Sequence, residues 1–278
     1  RSPHAHAKIL SLDVDEARAA PGILLVLTAE DYKAAGLKNM PPPGPPVKNS
    51  EGIAPYSTPR GALAEGRVRH VGDPVAFVVA ETMAQAKDAA EMIRVEYEPL
   101  AAHTDTARAM ESGIPALWDA RPNNLCLVHE EGDKAATDAA FAKAAVTVSQ
   151  RFVINRVTAN AMEPRGCVAA YDPREEYCTV YMAAQGGFGG RRFLATTFNE
   201  PEANFRVIPG DLGGSFGMKG GQYAEYVLVT WASKLLGRPV KWTAERSESL
   251  VSDTQGRDNV TDGELALDRG GKILALRV

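Results

Sequence analysis

Five glycines fall within nine residues, Gly213 to Gly221, around a single aromatic, Phe216, and the chain then turns strongly apolar. From Tyr223 to Leu236 almost every helical face is hydrophobic, the pattern of a helix buried on all sides. Gly237 supplies the left-handed stop and Pro239 lies just beyond it. Glycine serves where backbone must take a positive φ or approach a ligand closely. Consecutive N–H groups in such a loop can form an anion-binding concavity, to which a following helix would add its positive end. Two readings of this stretch are open: a cofactor-binding loop, or a glycine-rich turn entering a buried helix.

Two phosphate loops are excluded. A P-loop requires Gly-Lys followed by Ser or Thr, whereas Lys219 follows Met218 and precedes Gly220. The dinucleotide fingerprint Gly-x-Gly-x-x-Gly fails because Leu212 stands two residues before Gly214.

The wider chain fits a mixed α/β protein. Runs at Ile9–Val14 and Ile23–Leu27 predict strands about a turn at Ala20-Pro21-Gly22, and Thr28 with Asp31 predicts a capped helix start. A proline cluster, Met40 to Pro46, opens irregular chain to about Glu65. Val75–Val79, a helix over Met83–Met92 capped by Thr82, and Ile93–Glu98 predict a strand–helix–strand α/β unit. A second region begins near Asn124, with an alanine-rich helix over Asp133–Ala145. Strands are expected at Val146–Val153, Cys167–Tyr171, Thr179–Met182 and Val240–Thr243, and a hairpin turning at Gly270-Gly271. Tyr181 to Gln185 reads as a strand emptying into a glycine loop, Gly186 to Gly190.

Composition narrows the function. A formal charge of −4 gives no basic footprint for nucleic acid, and no apolar segment is long enough to span a membrane. Cys126, Cys167 and Cys178 are too dispersed to clamp zinc or an iron–sulfur cluster, and are expected as reduced thiols in a cytoplasmic protein. His4 and His6 lack a nearby third ligand, so no protein metal site is expected. The first residue is Arg1 and the last, Val278, falls inside an apparent strand, which predicts a piece of a longer polypeptide.

Asp211-Leu-Gly-Gly-Ser-Phe-Gly-Met-Lys219 resembles the Gly-Gly-x-Phe-Gly segment of molybdenum hydroxylase large subunits, a family that includes xanthine dehydrogenase, aldehyde oxidase and aerobic carbon monoxide dehydrogenase. Arg1-Ser-Pro-His-Ala-His-Ala-Lys-Ile9, Val71-Gly-Asp-Pro-Val-Ala76, Val95-Glu-Tyr-Glu-Pro-Leu100, Ala161-Met-Glu-Pro-Arg-Gly166 and Gly256-Arg-Asp258 match in the same order. The resemblance therefore covers essentially the whole chain. It implies an α+β fold: an α/β hammerhead domain over residues 1–120, then the first half of a molybdopterin-binding domain over 124–278.

The resemblance also implies a molybdenum–pterin cofactor, in the form of molybdopterin cytosine dinucleotide, whose own sulfurs hold the metal. The protein then supplies binding, orientation and electrostatics. Gly214, Ser215, Phe216 and Gly217 are the expected cofactor-binding loop, with Phe216 walling the substrate side. Gln185 matches a family glutamine that hydrogen-bonds an oxygen ligand of the metal, although Ala184 stands where a Thr commonly precedes it. Glu163 reads as structural, anchoring backbone or pairing with Arg165. The catalytic glutamate is expected outside this chain, so the polypeptide by itself is expected to be inactive. Gly220 replaces the glutamate that contacts the purine in xanthine-oxidising members, an expectation against xanthine. The implied reaction oxidises an aldehyde, an N-heterocycle or carbon monoxide with water as oxygen source. FAD and 2Fe-2S clusters are expected on partner subunits or domains, in a dimer of heterotrimers. The competing readings are a non-catalytic two-domain binding or assembly module, and an enzyme using another phosphate-bearing cofactor.

Overall fold

A computed structural model describes residues 1–42 and 56–278; most of the proline cluster and part of the irregular segment after it lie outside the described residues. Along the chain run β1 (Ala7–Asp13), α1 (Asp15–Ala19), β2 (Ile23–Thr28), α2 (Ala29–Ala34), β3 (Arg67–Val68), β4 (Ala76–Ala80), α3 (Met83–Met92) and β5 (Arg94–Pro99). Then follow α4 (Lys134–Lys143), β6 (Val146–Val157), β7 (Gly166–Asp172), β8 (Tyr177–Met182), α5 (Gly187–Phe198) and β9 (Phe205–Ile208). The last elements are α6 (Ala224–Leu236), β10 (Val240–Thr243), α7 (Arg246–Ser252), β11 (Gly256–Leu267) and β12 (Ile273–Arg277). The fold is mixed, with helices and sheets in both compact units.

The first unit includes Thr58–Ala102 and Thr158–Thr254 with the stretch that starts at Arg1. Its centre is a four-stranded sheet in the order β10-β7-β8-β9, antiparallel except for the β8–β9 pair. Helix α6 packs on β7, β8 and β10 of that sheet. Ten successive residues of α6, Ala224 to Ser233, are buried, as its all-round apolar sequence predicts. Gly237 ends the helix at φ 63°. Thr28 and Asp31 form the expected reciprocal capping box, and Thr82 caps α3 through the Gln85 N–H. The short helices α1 and α7 were not legible as periodic segments.

Two expectations are revised. The Val75–Glu98 segment is not one βαβ unit, because β4 pairs antiparallel with β2 while β5 pairs antiparallel with β1 in a different sheet. Strand β5 is polar at alternate positions and sets Glu98 beside Lys8, which suits an exposed sheet rather than a buried parallel one. The Gly186–Gly190 segment is not a loop past its first residue: Gly186 is the N-cap and Gly187 opens α5. Glycine costs about 1 kcal/mol per residue against alanine in a helix. Packing offsets it here: a Cβ at Gly187 would lie 2.9 Å from the Val207 carbonyl, and one at Gly190 would lie 3.1 Å from Val207 Cγ1. The glycines let α5 close on β9 while Phe193, Leu194 and Phe198 enter the core.

The second unit includes His103–Val157 and Gln255–Val278. It holds α4 and an antiparallel sheet in the order β12-β11-β6. The predicted hairpin turns as expected, with Asp268 Oδ1 accepting from the Gly270 and Lys272 N–H groups. No helix among the described residues is long and apolar enough to cross a membrane.

Candidate cofactor site

All the candidate residues lie in the first unit, on three segments: the Asn160–Glu163 turn, the β8–α5 connection carrying Gln185, and the Gly213–Gly221 loop. Strand β8 stops at Met182, so Gln185 stands three residues past the strand rather than at its end. Phe216 and Gly217 both take left-handed backbone, at φ 54° and 94°. For Phe216 this is a strained conformation, held by its surroundings. Gly214 has φ 99°, and the Phe216 ring folds back against it, its Cε2 3.3 Å from where a Cβ of Gly214 would stand. The ring is nonetheless 82 % exposed.

This conformation leaves the loop rich in donors. Among the described residues no hydrogen bond takes up the backbone N–H groups of Gly214, Ser215, Phe216 or Gly217. The Ser215 side chain is turned inward, its Oγ accepting the Lys219 N–H at 3.0 Å, so only its backbone faces outward to a ligand. A short 3-10 turn, Met218–Gly220, closes the loop, and α6 starts at Ala224. The helix therefore does not begin directly at the glycines.

Gln185 joins the loop through its backbone, donating its N–H to the Lys219 carbonyl at 3.2 Å. Its side chain is exposed and lines a recess of about 170 Å³ with Gly186, Phe188, Gly220 and Gln222. Phe188 is 82 % exposed, with the Arg191 guanidinium 5.7 Å from its ring centre. With Met162, 91 % exposed, each of the three segments thus carries or adjoins a large exposed apolar side chain.

Glu163 does anchor backbone, but not through Arg165. Its Oε2 accepts from the Gly213 N–H at 2.8 Å and from Lys219 Nζ at 2.6 Å. The Lys219 ammonium, and after it the Gly213 N–H, hold the Glu163 carboxyl below the usual carboxylate range. Arg165 is fully buried and binds Asp253 at 2.6 Å and Glu225 at 2.8 Å instead, with the Tyr223 ring 3.7 Å from its guanidinium carbon. Arg246 fixes the remaining segment by donating to Asn160 Oδ1 and to the Ala161 and Met162 carbonyls. Sequence reasoning passed over Lys219 and Arg246. A lysine enclosed by glycines and an arginine after β10 carry no local signal of these distant partners.

Neither histidine extends the site: the His4 ring lies edge-on to Tyr97 and His6 Nδ1 is 2.9 Å from the Ala101 carbonyl. Among the described residues no three His, Cys, Asp or Glu side chains converge as a metal site.

Comparison with known proteins shows the family. The model of the molybdopterin cofactor-binding domain matches residues 117–278, and that of the aldehyde oxidase and xanthine dehydrogenase a/b hammerhead domain matches residues 1–101. The carbon monoxide dehydrogenase large chain of Hydrogenophaga pseudoflava is 37% identical over 100% of this chain and 35% of its own length. Subunit gamma of the 6-hydroxypseudooxynicotine dehydrogenase complex of Paenarthrobacter nicotinovorans is also 37% identical, over 100% of this chain and 34% of its own. A crystal structure of Cu,Mo-CO dehydrogenase superposes with a TM-score of 0.85 at 35% identity, covering 99% of this chain and 35% of that one. The chain spans about a third of the length of the curated relatives it matches.

Proposed function

Since the chain belongs to the molybdopterin-binding family of xanthine dehydrogenase and aldehyde oxidase type large subunits, we propose that its 213–221 loop and Gln185 form one wall of a pterin-bound molybdenum site. The observation that carries this is the row of four backbone N–H groups, Gly214 to Gly217, left without a hydrogen bond among the described residues, on a loop whose Lys219 carbonyl holds the Gln185 backbone. Such donors suit an oxygen-rich, anionic group and add no charge of their own. The pterin's own sulfurs hold the metal, so the site asks the protein for donors and shape rather than for Cys or His ligands.

When bound, the molybdenum–pterin group supplies two-electron oxidation with water as oxygen source. The chain's residues do the rest. Gly217 presents its N–H without a side chain in the way. Gln185 would donate from the connection after β8, where the Lys219 carbonyl holds its backbone N–H. The exposed Phe216, Phe188 and Met162 side chains, one on or next to each segment, would exclude water once covered. The intact protein is a molybdenum-dependent oxidoreductase acting on an aldehyde, an N-heterocycle or carbon monoxide. The names of its relatives, a large chain and a complex subunit, support assembly with further subunits, to which we assign the iron–sulfur clusters and FAD. We place it in the cytoplasm, with the cofactor as the cytosine dinucleotide and the assembly as a dimer of heterotrimers.

The test is the full-length protein co-expressed with its partner subunits. Molybdenum near one atom per large subunit, with turnover of one of the three substrate classes, is the expected result. A folded complex free of molybdenum would overturn the reading.

A further inference from the structure

We propose that Lys219 is a positioning residue: an internal strut that sets the shape of the Gly214–Gly217 donor row, not a cation that touches the ligand. The proposal rests on the reading of this loop as cofactor-binding. A lysine in a glycine-rich loop invites the opposite reading, in which its ammonium reaches an anionic group. The geometry points away from that. The Lys219 side chain is 0 % exposed, and its Nζ meets Glu163 Oε2 at 2.6 Å.

The same carboxylate oxygen accepts the Gly213 N–H, and the Gly213 carbonyl accepts the Glu163 N–H at 3.1 Å. One oxygen therefore ties Gly213 to Lys219, and the segment between them closes into a ring. Inside it, the Lys219 N–H is taken up by Ser215 Oγ and the Lys219 carbonyl accepts the Gln185 N–H. Lys219 is thus bonded to all three segments that supply the site. Gly213 is part of the clasp: a Cβ there would lie 2.6 Å from Glu163 Cβ. With its charge spent inside the ring, Lys219 leaves ligand contact to the backbone N–H groups, and the ring holds Phe216 and Gly217 in left-handed backbone.

The experiment uses the full-length complex and four variants, Lys219→Met, Glu163→Leu, the double K219M/E163L and the conservative Glu163→Gln. The Lys219 side chain is buried while that of Glu163 is 46 % exposed, so removing Glu163 alone strands the ammonium in the interior, whereas the double variant leaves no buried charge. The double variant is therefore expected to melt near the wild-type temperature. Its hydrogen-bonded amides at positions 219 and 185, which donate to Ser215 Oγ and to the residue-219 carbonyl, should exchange about tenfold faster or more in cofactor-free protein, and its molybdenum content should fall to less than half. Glu163→Gln keeps an acceptor for both donors and should retain most of the protection and the metal. Wild-type exchange and metal content in the double variant would overturn the proposal. So would metal retained in Glu163→Leu but lost in Lys219→Met, which would mean that the ammonium itself contacts the ligand. Wild-type protein without molybdenum, but with the predicted exchange differences, would sink the cofactor reading and leave the strut standing.

Discussion

The carboxamide of Gln185 occupies the space in which a side chain on Gly220 would begin, its Oε1 3.1 Å from the position of that Cβ. Gly220 does not have a positive φ, so its backbone would accept alanine. Gly217 is the converse: its φ is 94°, yet nothing lies within 4 Å of its added Cβ. A side chain at Gly220 would crowd the Gln185 amide, whereas Gly217 is required by its backbone conformation, and the two effects separate experimentally.

Gly220→Ala in the full-length protein is expected to leave folding and molybdenum content intact while pushing the Gln185 amide a few tenths of an ångström out of place. Small misplacement of a catalytic contact is costly, and turnover should fall about tenfold. Steady-state kinetics beside metal analysis decide the matter. Unchanged turnover would mean that the amide is not held where the chemistry needs it.

Gln185→Ala removes that donor altogether. The expected loss is on the order of 10²-fold in turnover, the usual effect of deleting one preorganised donor. Metal content should change little, because the loop N–H groups remain. A fully metallated variant with normal turnover would remove Gln185 from the site.

The acid limb of stability should depend on Glu225. Burial alone would raise its pKa, but the Arg165 charge, and then that of Arg1, overcome this and hold it at about 2. The ordinary value is 4.5, so between these two pH values the unfolded chain binds a proton that the folded chain does not. Glu225 therefore contributes its full stabilisation above pH about 4.5 and loses it progressively as pH falls towards about 2. Urea titrations across that window should show a falling midpoint, and Glu225→Gln should flatten that fall. An equally steep fall in the variant would place the acid sensitivity elsewhere.

Much of this architecture is legible in the sequence because the signals are local. The caps at Thr28 and Thr82, the all-apolar α6 and the Gly270-Gly271 hairpin each depend on neighbours within a few residues. What escapes is set by distant partners. The glycines of α5 look like a loop until Val207 is seen packed against them. Strands β4 and β5 look paired until β2 and β1 claim them separately. In the site, the loop and Gln185 are marked by their motif, whereas Lys219 becomes informative only once Glu163, 56 residues away, is found at its ammonium.

Gly217→Val in the full-length protein is expected to abolish molybdenum loading without unfolding the first unit. At φ 94° a β-branched residue is strained whatever room surrounds it. The loop would have to abandon its left-handed pair, which costs on the order of 1–3 kcal/mol if retained. Either way the Gly217 N–H leaves the donor row. Helix α6 is buried from Ala224 to Ser233 against its own sheet, so its packing should survive. Molybdenum per large subunit should therefore fall close to zero, while cofactor-free protein keeps its far-ultraviolet circular dichroism and melts within a few degrees of wild type. Full metal occupancy would show that Gly217 does not face the cofactor. A collapsed melting temperature would instead assign these glycines to the turn alone, because a residue that serves only the ligand cannot unfold a protein that lacks it.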